Sequence, residues 1–261
     1  MNQDLVSIIM PSFNCGEYVE ETIRSVQAQT YKNWEIIFMD DCSPDDTVRY
    51  VSCLRKKDPR IKLFQNKFYL GAAVTRNNAL CEAKGRWIAF LDSDDLWEPT
   101  KLEKQVKFME KNGYFFSYTC YQEIDGDSKE TGVMITDPKR LSKIGMYSFC
   151  WPGCLTVMYD KEKIGLIQIE DIKKNNDYAM WLKVCQKADC YLLNECLAKY
   201  RRGRSGSIST HGYTTLIKWH YKLFRDAEKM NPVSSVFITC VNLVCGLHKK
   251  IRYVKRIQLE R

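Results

Sequence analysis

Asp92-Ser93-Asp94-Asp95 is the stretch of this 261-residue sequence with the densest chemistry. It follows the apolar run Trp87-Ile88-Ala89-Phe90, and Leu96, Trp97 and Pro99 close the segment before a helix. A buried strand that ends in acids presents them beyond the carboxyl edge of a sheet, where open α/β sheets bind ligands. Carboxylates this close repel one another and need a counter-charge at neutral pH. A divalent cation carrying a phosphorylated ligand would supply it, and hard oxygen donors suit Mg2+ or Mn2+. The plain alternative is a solvated acidic turn capping the next helix. The rest of the chain decides between them.

The elements that must position these acids are legible upstream. Val6-Ser7-Ile8-Ile9-Met10 reads as a buried strand stopped by Pro11. Asn14 and Gly16 make the turn, and Val19, Ile23 and Val26 follow at helical spacing through Gln29. Residues 34–39 read as a second strand ending in Asp40-Asp41. Ser43-Pro44-Asp45-Asp46 has the form of a helix start, with Ser43 as the cap and Val48, Val51 and Leu54 on the inner face. Residues 61–64 read as a third strand. Gly71 opens a helix through Leu80 to Lys84, ended by Gly85, and the fourth strand leads into the acids. This alternation predicts a parallel sheet covered by helices. Right-handed crossovers would then gather residues 11–14, 40–43 and 92–95 at one edge.

Beyond Pro99, Leu102, Val106 and Met109 mark a helix ended by Asn112-Gly113. Residues 115–121 read as a strand, with Asp125-Gly126-Asp127-Ser128 as a hairpin turn. Residues 133–150 are poorly patterned. Residues 154–159 are strand-like, Tyr178, Met180, Trp181, Leu182, Val184 and Cys185 look helical, and strands are expected over 191–193 and 196–200.

Composition is that of a soluble globular protein rather than a disordered or nucleic-acid-binding one. Twelve cysteines contain no CxxC, and the closest pair, Cys150 and Cys154, has no histidine at a zinc-like distance, so they are expected to be reduced, mostly buried small hydrophobes. Met1-Asn2-Gln3-Asp4 is short and polar, so no signal peptide is expected. The net charge of +8 is uneven: from Lys199 onward 14 basic residues face 3 acidic ones, leaving 26 against 29 in the rest. Residues 233–247 carry no charge but fall short of the ~20 needed to cross a bilayer. With the basic run Lys249-Lys250-Ile251-Arg252-Tyr253-Val254-Lys255-Arg256 they read either as a helix on an anionic membrane face or as a core helix with a solvated basic neighbour.

The opening Val6-Ser7-Ile8-Ile9-Met10-Pro11-Ser12-Phe13-Asn14, followed by Ser25-Val26-Gln27-Ala28-Gln29-Thr30-Tyr31, resembles that of the family 2 glycosyltransferases. Phe38-Met39-Asp40-Asp41-Cys42-Ser43 is similar to their second acidic loop, with Cys42 where glycine is usual. Gly71-Ala72-Ala73-Val74-Thr75-Arg76-Asn77 and Phe90-Leu91-Asp92-Ser93-Asp94-Asp95 complete the likeness, dense over residues 5–110 and thinner to about 210. It implies an α/β protein of the GT-A type, a Rossmann-like mixed sheet flanked by helices. Residues 1–210 would form that domain, with 1–110 the nucleotide-binding half and 111–210 the acceptor half. Residues 211–261 would add a basic and apolar helical region.

The resemblance also implies roles. Pro11, Ser12, Phe13 and Asp41 would hold the uracil of a UDP-sugar: Pro11 through backbone, Phe13 through its ring, Asp41 as acceptor for the ring N–H. Arg76 would lie near the nucleotide, Asp92 and Ser93 by the ribose, and Asp94 would bind Mn2+ or Mg2+. Asp95 would be structural. Family members place their base in a Glu-Asp pair; here Asn176-Asp177 keeps only Asp177, the candidate base. In the segment from Tyr200 to Ser209, Arg201 would touch the diphosphate, while Arg202 and Arg204 would be exposed or face an anionic acceptor. The reading is an inverting, metal-dependent hexosyltransferase acting on a glycan or lipid-linked glycan, cytoplasmic and peripheral on the inner face of the plasma membrane, with no nucleic acid partner. One rival is a nucleotidyltransferase, disfavoured because Pro11-Ser12-Phe13-Asn14-Cys15-Gly16 carries no basic residue. Another is a nucleotide-sugar-binding protein in which Asn176 marks a decayed site.

Overall fold

Short apolar runs between turn signals suit strands covered on both faces, and the strands Val6–Ser12, Trp34–Asp40 and Trp87–Phe90, buried along most of their length, form the centre of the molecule. The computed structural model describes residues 4–203 and 213–257. Strands β1 (Val6–Ser12), β2 (Trp34–Asp40), β3 (Ile61–Gln65) and β4 (Trp87–Phe90) are parallel, in the spatial order β3-β2-β1-β4. Helices α1 (Val19–Gln27), α2 (Thr47–Lys57) and α3 (Ala72–Glu82) connect them. Along β1, Ile9 faces one core with α3 while Ile8 and Met10 face the other with α1 and α2, as the two-residue period of a strand requires. The carboxyl ends of β1, β2 and β4 therefore share one edge.

The second half extends the same sheet with mixed polarity. After β5 (Leu96–Trp97) and α4 (Lys101–Asn112) come β6 (Phe116–Ile124), β7 (Glu130–Ile135), β8 (Arg140–Leu141) and α5 (Lys143–Ser148). Strand β9 (Met158–Asp160) runs antiparallel between β4 and β6, and α6 (Lys161–Ile164) and α7 (Asn176–Cys185) follow. Strand β10 (Cys190–Arg201) is one continuous element, parallel to β6 and bulged twice, where the sequence suggested two strands. Helices α8 (Tyr213–Lys222) and α9 (Pro232–Arg252) lead to β11 (Val254–Arg256), which returns to the sheet beside β7.

Several local expectations change. Ser43 does not cap α2, which begins at Thr47; its hydroxyl accepts from Asn14 N at 2.9 Å and ties the β1 and β2 loops together. Asp45 accepts from Gly16 N at 2.8 Å, a second tie between the same loops. Gly85 follows α3 rather than capping it, and is glycine because a Cβ there would lie 2.5 Å from the Leu5 carbonyl oxygen. The cysteines are all free as expected, but only Cys15, Cys120, Cys185 and Cys190 are fully buried. Lys101 is buried, with its side-chain nitrogen 3.8 Å from the centre of the Trp97 ring and without a hydrogen-bond acceptor.

Candidate active site

Burial alternates through the acidic turn that follows β4 and sorts its side chains. Leu91, Ser93 and Asp95 are buried, whereas Asp92 and Asp94 are half-exposed on the opposite side. Ser93 donates to Cys15 Sγ at 2.9 Å, and its carbonyl accepts from Thr22 Oγ1 at 3.1 Å. Its hydroxyl thus faces inward, onto the Cys15 sulfur.

Asp95 Oδ1 accepts from the Arg201 backbone N–H at 2.8 Å, while its other oxygen is buried without a partner. Burial, then Asp94 and Asp92, push its carboxyl well above the ordinary range. Arg201 differs from its expected role as a diphosphate contact. Its guanidinium donates to the carbonyls of Asp94 (2.8 Å), Asp125 and Gly126 (both 3.1 Å), to Ser128 Oγ, and to Glu21 Oε2 at 2.8 Å. Its side chain has 0 % exposure. Arg201 therefore braces the turn that carries Asp94. A sequence gives the identity of an arginine but not the direction of its side chain, and the carbonyls that claim it come from the β6–β7 hairpin. Arg204, residues 205–209 and His211 lie outside the described residues.

Arg76 lies on α3, buried to 5 % exposure. It donates to Asp92 Oδ1 at 3.2 Å and to the side-chain oxygen of Asn176, the first residue of α7. Asn77 beside it holds the segment leading into α7, donating to the Ile169 carbonyl (2.7 Å) and accepting from Ile169 N (3.1 Å). Asp177 Oδ1 accepts from Tyr178 N at 2.8 Å. Burial raises the Asp92 carboxyl above its usual range; Arg76 opposes the shift, and Asp94 and Asp177 add to it. Asp94 and Asp177, from two separate segments, therefore both act on Asp92, with Arg76 beside it. Cys154 and Cys150 adjoin the same group: burial pushes both thiols up, with Asp92 and Asp177 among the charges that act on Cys154 and Asp177 on Cys150.

At the neighbouring strand ends, Pro11 is half-buried and Ser12 is buried with an unpartnered hydroxyl. Phe13 is 43 % exposed and meets Tyr69 edge to face, centroids 4.8 Å apart. Asp41 is buried and organises the loop that carries Tyr69: it accepts from Asn66 Nδ2 (2.9 Å), Leu70 N (2.8 Å) and Gly71 N (2.7 Å). A carboxylate offers about four acceptor sites, so one remains on Oδ2. Asn66 and Tyr69 were not singled out in the sequence. The signal was available, because Asn66 directly follows β3 and so falls at the same sheet edge.

The residues present suit a divalent cation. The donors are hard oxygens, the Asp92 carboxyl is raised partly by its neighbours' negative charge, and Asp94 is accessible on the rim. Among the described residues, no group of three or more His, Cys, Asp or Glu side chains could by itself hold a metal. A cation at Asp94 would thus complete its shell with ligand and water oxygens.

Comparisons with known proteins agree with this architecture. The family model described as glycosyl transferase family 2 matches residues 7–158. A Bacillus subtilis (strain 168) glycosyltransferase, TuaG, named for teichuronic acid biosynthesis, is 40 % identical over 228 residues, covering 87 % of this chain and 90 % of the relative. The Escherichia coli UDP-Glc:alpha-D-GlcNAc-diphosphoundecaprenol beta-1,3-glucosyltransferase WfaP is 40 % identical over 215 residues, 82 % of this chain and 84 % of the relative. Among solved structures, residues 1–349 of S. aureus TarS in complex with UDP-GlcNAc superpose with a TM-score of 0.70 at 18 % identity, covering 92 % of this chain and 72 % of that one. The sheet is that of the GT-A glycosyltransferases. With matched residues running from β1 into β9 and close relatives along most of its length, this chain belongs to glycosyl transferase family 2.

Proposed function

We propose that the protein transfers a hexose from a UDP-sugar, with inversion, to a glycan carried on a lipid diphosphate during polysaccharide biosynthesis at the inner face of the cytoplasmic membrane. One observation carries this reading: Arg76 joins Asp92 at the end of β4 to Asn176 at the start of α7, so Asp177 and the acidic turn serve one site. The names of the relatives support the donor and acceptor classes, since WfaP is named for UDP-Glc and a diphosphoundecaprenol-linked acceptor.

Asp177 is the base that takes the proton from the acceptor hydroxyl as that oxygen attacks the anomeric carbon. Direct attack in one displacement inverts the centre. Asn176 in place of a glutamate leaves this task untouched, because its side-chain oxygen serves as an acceptor for Arg76 instead. Mn2+ or Mg2+ held by Asp94 would offset the charge that develops on the departing diphosphate. Asp41 offers its remaining acceptor site to the uracil N–H, Pro11 and Ser12 border the base, and Phe13 lies against its face. Arg201 is a positioning residue that fixes the turn bearing Asp94.

Thermal stabilisation by UDP-, GDP- and dTDP-sugars, each with and without Mn2+ or Mg2+, tests the donor class. UDP-sugars are expected to raise the melting temperature only when the cation is present. Equal stabilisation by the other nucleotides, or stabilisation by UDP-sugars without a cation, would overturn it.

A further inference from the structure

Helix α9 turns a mixed face, Ser235, Thr239 and Asn242 together with Ile238 and Cys245, against the protein. Ser235, Thr239 and Asn242 are buried, whereas Val233, Val236, Phe237, Val244, Leu247 and Ile251 are between 53 % and 85 % exposed. At the pitch of an α-helix these exposed residues lie in a stripe roughly 100° wide along its whole length. A helix on a water-facing surface has the opposite arrangement. The inner face is locked in place. Asn242 Nδ2 donates to the Tyr147 carbonyl at 2.8 Å, and Lys249 Nζ pairs with buried Asp137 at 2.8 Å. Gly246 approaches Phe149 so closely that a Cβ would lie 2.9 Å from the ring. Rolling the stripe inward would break these contacts, so the fold commits it to the outside.

Charge identifies what covers it. From Lys229 to Ile257 the chain contains no aspartate or glutamate. Lys250 and Arg252, both exposed, fall on opposite flanks of the stripe, and Lys255 and Arg256 of β11 are exposed just beyond it. Aliphatic side chains flanked by long cationic ones match the acyl boundary and anionic headgroups of a bilayer, with the cations reaching outward to phosphate.

We propose that α9 lies in the plane of an anionic membrane surface, its apolar stripe inserted at the headgroup boundary, and does not cross the bilayer. Its 21 residues, with an 18-residue stretch of mean hydropathy 1.2, would permit crossing by length and composition alone. Crossing would, however, strip Asn242 and Lys249 of their partners. The arrangement also couples the surface to the site. The Tyr147 carbonyl that accepts from Asn242 lies 3.1 Å from the hydroxyl of Tyr178, the residue after Asp177. The docked helix and Tyr178, which follows the proposed base on α7, thus share one carbonyl.

Co-sedimentation of the full chain with vesicles tests this without any donor or acceptor, so its outcome is separate from that of the transferase reading. Vesicles of phosphatidylcholine with phosphatidylglycerol are expected to pellet the protein, salt to weaken the binding, and pure phosphatidylcholine to retain far less. The double variant Phe237→Ser/Leu247→Ser, altered only at exposed positions and checked for an unchanged melting temperature, should bind at least tenfold more weakly. Lys250→Glu/Arg252→Glu should remove the preference for the anionic lipid. Wild-type protein left in the supernatant, or equal pelleting of wild type and Phe237→Ser/Leu247→Ser, would overturn the proposal. So would a wild-type dimer that the double variant dissociates, which would make the stripe a protein interface, or resistance to alkaline carbonate extraction, which would indicate a spanning helix.

Discussion

Arg76 donates to the side-chain oxygen of Asn176, one hundred positions further along the chain, and to Asp92 at 3.2 Å. Burial works against its charge, and Cys154, Asp92 and Asp177 nearby outweigh that penalty. Arg76→Met should therefore separate α7 from the acidic turn and leave Asp92 without its cation. The expected outcome is at least a tenfold fall in kcat/KM together with a lower melting temperature, because a buried polar group loses its partner. Arg76→Lys should recover only part of either, since an ammonium lacks the planar fork that spans both acceptors. Activity unchanged in Arg76→Met would show that the bridge is not needed.

Much of this site was legible before any coordinates. Four apolar runs, each ending in polar residues, fix a parallel sheet, and the sheet brings its loops to one edge. What could not be read were choices between equivalent partners. Ser43 has the right context for a helix cap and instead binds the Asn14 amide across the loops. Arg201 is consumed by carbonyls that arrive from another hairpin. Residues 133–150 carried little pattern because they fold into a strand end, the two-residue β8 and the six-residue α5, too short for a period to show. Cys42 is the reverse case: the glycine usual at its position suits a left-handed backbone, and Cys42 adopts φ 63° there.

Phe13 and Tyr69 form an exposed aromatic pair above the Asp41 loop. If the ring of Phe13 stacks on the base, Phe13→Ala should weaken free UDP and UDP-sugar alike, by about 1–3 kcal/mol as for a base stacked on an aromatic side chain. Tyr69→Ala should have a smaller effect in the same direction, since it removes only the ring that supports Phe13. Titration calorimetry with both ligands decides it. A loss confined to the sugar donor would place Phe13 beside the sugar.

Lys101 is buried with no acceptor, and burial holds its amine well below the ordinary lysine range. Between that depressed value and the usual one near 10.4 the unfolded chain binds a proton that the folded protein does not, so this residue makes stability rise with pH. Lys101→Met keeps the volume and removes the amine. It should stabilise the protein by about 1–3 kcal/mol near neutrality. The advantage should grow as pH falls towards the depressed value and shrink in alkali. Chemical denaturation at several pH values tests this, and an advantage that grows with pH would contradict it.

The central claim is that Asp177 accepts the proton of the attacking hydroxyl at a site whose donor is gripped elsewhere, by the β1, β2 and β4 ends. The direct measurement is single-turnover sugar transfer from a UDP-sugar to a lipid-diphosphate-linked glycan by Asp177→Asn protein, with UDP affinity measured on the same sample. The account predicts a transfer rate lower by about 10²–10⁴-fold with UDP affinity within about twofold of wild type. Transfer at the wild-type rate would contradict it, as would a rate loss matched by an equal loss of UDP affinity.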